Sequence, residues 1–143
     1  MPKIFRSMLE DGGKPKVGSA SKMLGVRVAP NTPPDIPVDG NGDVHPKSGG
    51  MSVAPDWRKL PDHLIPRRLK QFIPRARGRD DLVCWRLGDL DFLDGQPIGL
   101  LVLRVDPART DKHGFVEPAS LMSIVDYQCA LASTRDDWIP DEN

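Results

Sequence analysis

Leu82-Val-Cys-Trp-Arg-Leu87 and, ten residues further on, Ile98-Gly-Leu-Leu-Val-Leu-Arg-Val105 are the two stretches on which the fold turns. Both are short, rich in β-branched and aliphatic residues, and bounded by Gly, Asp and Pro, which is the composition of a strand and too short a run for a packed helix. Read together, joined through Leu90, Phe92 and the Asp94-Gly95 turn, they predict the centre of a sheet. Upstream, Lys3 to Leu9 is a further apolar-rich strand that carries Arg6 and stops at the turn Asp11-Gly12-Gly13. Downstream, His113-Gly-Phe-Val-Glu-Pro118 is a strand halted by its proline. Ser123 then offers an N-cap with Asp126 three positions on, and Ile124, Tyr127, Gln128 and Leu131 recur at helical spacing, so a helix is predicted over 123–134. Strands with one late helix give the class: α+β.

The chain has 143 residues, enough for one domain over 1–143, in which 136–143 reads as a polar tail with Trp138 folding back onto the body. Thirteen Gly and fifteen Pro imply short elements and long loops. A single helical turn is expected at Ser19–Leu24. The four prolines from Pro30 to Pro37 impose extended, polyproline-like backbone. Asp62–Gln71 reads as a short helix despite Pro66, and Gly49-Gly50 shapes a loop leading into a strand. Cys84 and Cys129 each sit in an apolar pattern and are expected as reduced core residues.

Twenty basic residues balance twenty acidic ones, which removes the charge excess that nucleic acid rewards, so no nucleic-acid partner is expected. The exception is local: Arg58 to Arg79 carries eight Lys and Arg against only Asp62. That run is either a solvated face or a docking surface for an acidic partner or a polyphosphate. There is no signal-peptide core at the start and no apolar run long enough for a bilayer, so a membrane is not expected and any export needs a route without a cleaved signal.

Several chemistries are absent. Asp39-Gly-Asn-Gly-Asp43 has the oxygen ligands of a calcium loop without its closing Glu, and reads as a turn. His45, His63 and His113 lack metal-ligand spacing, and there is no nucleophile elbow, P-loop or dinucleotide fingerprint. What remains are polar residues set in apolar or tightly turned strands: Arg6, Ser52, His113 and Glu117. Each has a structural alternative. Arg6 can pair with a carboxylate, Ser52 can cap a backbone group, and His113 can be a satisfied structural histidine. Trp57 and Trp85 can stack on a ring or simply fill the core.

These motifs, in order, carry a resemblance. Ile4-Phe-Arg6, then Pro34-Asp-Ile, then Ser48-Gly-Gly-Met-Ser-Val53, then His113-Gly-Phe-Val-Glu-Pro-Ala with Met122 before a last helix, is similar to the ADP-ribosyltransferase-like toxins exported by type VI secretion. The resemblance implies a split antiparallel sheet and NAD as a substrate bound by Arg6 and Ser52. Ser52 and His113 are implied as catalytic, with the bacterial cytoplasm of producer or target cell as the location. It also implies a cognate immunity protein and a macromolecular acceptor. Met51 departs from the family's Thr. Glu117 is added on chemical grounds alone, because cleavage of a glycosidic bond builds positive charge on the sugar that a carboxylate stabilises. The enzyme reading expects Arg6, Ser52 and His113 around one pocket. A non-catalytic interaction module of the same fold, with Met51 and the basic stretch 58–79 on a protein-binding surface, expects no such pocket or one filled by side chains, and an RNA 2′-phosphotransferase-like enzyme is the remaining alternative.

Overall fold

The computed structural model describes residues 1–30 and 33–143, so part of the expected polyproline stretch, at 31–32, lies outside the described residues. Among the described residues, ten strands run in the order β1 (Ile4–Asp11), β2 (Lys14–Pro15), β3 (Asp43–Val44), β4 (Met51–Val53), β5 (Leu82–Leu87), β6 (Pro97–Ile98), β7 (Leu101–Val105), β8 (Gly114–Pro118), β9 (Met122–Ser123) and β10 (Ile139–Pro140). An α-helix, α1 (Ile124–Ala132), lies between β9 and β10, and the described residues also hold four 3-10 turns. The architecture is α+β with antiparallel strands and little helix. Its sheets have the orders β10-β5-β1-β2, β4-β8-β7-β6 and the small pair β3-β9.

β1 is buried along most of its length because both of its faces are covered. Alternate residues of a strand face opposite ways. Ile4 and Met8 enter the larger core with Trp85, Leu87 and Trp138, while Phe5 enters a second core with Trp57, Ile65 and Cys84. β1 and β5 pair from Ile4↔Leu87 to Leu9↔Leu82, and Trp85 Nε1 donates to the Met8 carbonyl at 3.1 Å. The two large sheets touch where Phe5 and Ala54 exchange backbone hydrogen bonds of 2.7 and 2.9 Å, so β1 continues into the end of β4.

Several expectations are corrected. Leu82–Leu87 is a strand as read, but Ile98–Val105 folds as a hairpin in which Ile98 pairs with Leu101 across Gly99-Leu100. Gly99 adopts φ of 60°, a conformation that favours glycine, and Leu100 is turned to solvent. Nor do the two stretches form one sheet centre: β5 and β7 belong to different sheets. The expected helix at Asp62–Gln71 is two 3-10 turns, Asp62–Leu64 and Arg67–Leu69, separated at Pro66, whose ring and missing N–H stop an α-helix. Ser19–Leu24 holds turns and no helix. The polar tail is integrated: Trp138 is fully buried, β10 pairs with β5, and Asp141 N–H donates to the Cys84 carbonyl.

The helix matches its sequence signals. Ser123 Oγ accepts from Asp126 N–H at 3.0 Å, and Tyr127 and Leu131 point into the core. Tyr127 donates to the Val116 carbonyl and accepts from Met51 N–H, tying α1 to β8 and β4, and its burial pushes the phenol above its ordinary pKa. Cys84 is a core residue whose thiol burial pushes up to about 12. Cys129, expected in the core, is exposed because it falls on the side of α1 away from the Tyr127–Leu131 stripe.

Candidate functional site

Where β1 meets β4, a cleft of about 610 Å³ opens between the two large sheets' shared edge and the loops around it. Arg6 and Ser7 of β1, Ser52 of β4 and His113, just before β8, all line it. Glu117 does not. Its carboxylate is buried, accepts Lys47 N–H at 2.9 Å and Arg104 Nε at 3.2 Å, and so holds the Lys47 loop to the β7–β8 ladder. The shared strand face of His113, Phe115 and Glu117 therefore does not bring Glu117 into the cleft.

The cleft is cationic on a chain without net charge. Arg6, Arg27, Lys59, Arg75, Arg109 and Lys112 line it, against the carboxylates of Asp35 and Asp62. Both carboxylates are already engaged: Asp35 takes a forked pair from Arg27 at 2.9 and 3.3 Å, and Asp62 is bonded by Arg75. The field left over attracts an anion, and most strongly one with several charges. The basic stretch 58–79 is thus divided by the fold. Lys59 and Arg75 face the cleft, Arg58 lies 4.5 Å over the Trp57 ring, and Arg68 and Arg79 pair with Glu142 and Asp81 on the outside.

Arg6 is deep in this site. Its guanidinium donates to the carbonyls of Ser21, Met23 and Ser52 at 2.8–3.1 Å and of Gly25 at 3.5 Å. No carboxylate lies within ion-pairing distance among the described residues, so in place of the carboxylate of its structural alternative Arg6 has four backbone acceptors. Burial lowers its pKa to about 10, with Asp35 opposing that shift, and the group stays charged at neutral pH. Ser52 presents its side chain to the cleft while its carbonyl accepts from Arg6. Met51, next to it, points the other way into the larger core and is not among the residues that line the cleft.

His113 is held from two sides. Its Nδ1 lies 2.9 Å from Asp106 Oδ2, and its ring meets Phe115 edge-on at 4.6 Å between centroids. The His113 hydrogen bond, then Ala108 N–H and Arg109, hold the Asp106 carboxyl below the usual carboxylate range. Sequence reading missed Asp106. Its signal was there in Asp106-Pro107, a turn-starting pair at the end of a strand with His113 opening the next. Trp57 and Trp85 are core residues and do not line the cleft. In the Asp39–Asp43 loop, Asp39 accepts from Asn41 and Asp43 N–H and pairs with His45, which lowers its pKa and makes the segment a self-bonded turn.

Ser7 was also missed. Its Oγ, 1% exposed as a residue, has no hydrogen-bond partner among the described residues, which penalises the fold by about 1–3 kcal/mol. Ser7→Ala is therefore expected to raise stability by about 1 kcal/mol, read as a melting temperature higher by about 3 °C. A fall instead would show that the hydroxyl is bonded in solution.

No helix among the described residues is long and apolar enough to cross a membrane. No family model matches the chain, and no curated protein matches its sequence.

Proposed function

We propose that this chain is an antibacterial toxin domain that cleaves NAD and transfers its ADP-ribose to a macromolecular acceptor, working in the cleft at the β1–β4 junction. The observation that supports this reading is the meeting of Arg6, Ser52 and His113, three residues from distant parts of the sequence, around one cation-rich cleft. NAD carries two phosphates, and Lys59 and Lys112 supply cations for them, joined by Arg109, whose Nε also lies 3.3 Å from Asp106 Oδ2. Breaking the nicotinamide–ribose bond builds positive charge at the sugar. Asp35 takes the stabilising part first given to Glu117, since it lines the cleft and is the more buried of the two carboxylates, at 13% side-chain exposure against 43% for Asp62. Ser52, beside the Arg6 contact, orients the ribose. The ADP-ribosyltransferase-like fold is part of the same proposal, supported by the antiparallel sheets that meet at the cleft. A cognate immunity protein then neutralises the chain by covering the cleft between Ser52 and His113.

The test is expression in a bacterial cytosol from a tight promoter, with growth and the NAD pool followed together. Growth arrest with NAD loss is expected, with both effects reduced by about a hundredfold in activity for Ser52→Ala. A folded parent that neither slows growth nor consumes NAD would sink the proposal.

A further inference from the structure

Resting on that reading of the cleft, we infer that Asp106 is a positioning residue that fixes the tautomer of His113 and so makes its Nε2 the general base that deprotonates the acceptor. Ionised Asp106 only accepts hydrogen bonds, and its Oδ2 lies 2.9 Å from His113 Nδ1, so in the neutral ring the proton sits on Nδ1. Arg109 Nη2 lies 3.1 Å from the same nitrogen. Two donors do not bond each other, so Arg109 acts here on the carboxylate, where its Nε reaches Asp106 Oδ2 at 3.3 Å.

The pair is held on every side. Ala108 N–H donates to Asp106 Oδ1 at 2.9 Å, and Asp106 N–H donates to the His113 carbonyl at 3.0 Å, closing the loop between β7 and β8 at its base. Phe115 limits rotation of the ring from its own face. Both side chains are largely buried, at 14% and 18% exposure, so water competes weakly for the bond. With Nδ1–H committed, Nε2 keeps its lone pair and has no protein partner among the described residues, while His113 lines the same cleft as Arg6 and Ser52, just before the strand that pairs with Ser52's.

The step balances. As a nucleophilic atom of the acceptor forms its bond to ribose C1′, its proton passes to His113 Nε2. The C1′–nitrogen bond breaks with its electron pair leaving on nicotinamide. The imidazolium that results is neutralised by Asp106, and its proton later returns to water.

The experiment uses the full chain. Side-chain nitrogen NMR at pH 8.5 reads the His113 tautomer directly, and NAD turnover with an acceptor lysate reads kcat and KM. Wild type is expected in the Nδ1–H form. Asp106→Asn is expected to shift the ring towards Nε2–H and to lower kcat at least about a hundredfold with KM for NAD within about twofold, while Asp106→Glu restores most of kcat. An Nε2–H ring in wild type overturns the inference, as does full turnover in an Asp106→Asn protein whose tautomer has flipped. Absence of NAD cleavage by wild type would instead remove the proposed function and the base role with it. The tautomer populations would still decide whether Asp106 positions the ring.

Discussion

Arg6→Ala is expected to lose about 3–5 kcal/mol of folding stability, which for a chain of this size lowers the melting temperature by roughly 10–20 °C or prevents folding at 37 °C. The guanidinium is 6% exposed and is the donor for carbonyls of Ser21, Met23, Gly25 and Ser52. Truncation leaves those acceptors in a site too buried to be rehydrated without local unfolding, at about 1–3 kcal/mol for each one orphaned. Arg6→Lys keeps the charge, but one ammonium does not reproduce a planar fork that serves carbonyls from two separate segments, so partial rescue at most is expected. Urea denaturation of the purified variants gives the comparison. An Arg6→Ala protein as stable as the parent, yet inactive, would make Arg6 a ligand-binding residue and refute the scaffold role.

His113→Ala is expected to do the reverse. Asp106 keeps Ala108 N–H and Arg109 as partners, so stability should fall by no more than about 1 kcal/mol. Activity should fall by about 10²–10⁴, the usual contribution of a positioned acid–base group. Growth of cells expressing the variant, with its melting temperature measured beside it, checks both halves. Undiminished growth arrest from a folded His113→Ala protein would remove His113 from the mechanism. The contrast between the two variants matters because loss of toxicity in Arg6→Ala, taken alone, reports unfolding as readily as lost chemistry.

How much was legible beforehand follows from which forces act locally. β5 and α1 were readable to within a residue or two because their signals are local: a β-branched and aromatic run in one, an N-cap and helical spacing in the other. The hairpin at Gly99 was not, because Ile98 to Val105 reads as one apolar run and only a pairing partner shows where it doubles back. The placement of β5 and β7 in separate sheets is a long-range choice that no window of sequence carries. At the site, Arg6, Ser52 and His113 stood out as polar residues in apolar surroundings. Asp106 did not, since an Asp before Pro is ordinary turn chemistry until the fold sets it against a histidine. Glu117 stood out and is nonetheless committed to Arg104 and Lys47, which are separated from it in sequence by 13 and 70 residues.

The backbone bond from Asp106 N–H to the His113 carbonyl has a consequence for how such a protein diversifies. Together with His113 N–H to the Arg109 carbonyl and Ala108 N–H to Asp106 Oδ1 it ties 106–109 to the pair, so a change of length there moves the imidazole. Lys112, which lines the cleft from the same segment and whose side chain takes no part in those bonds, is then the position there whose charge can change with the ring held still.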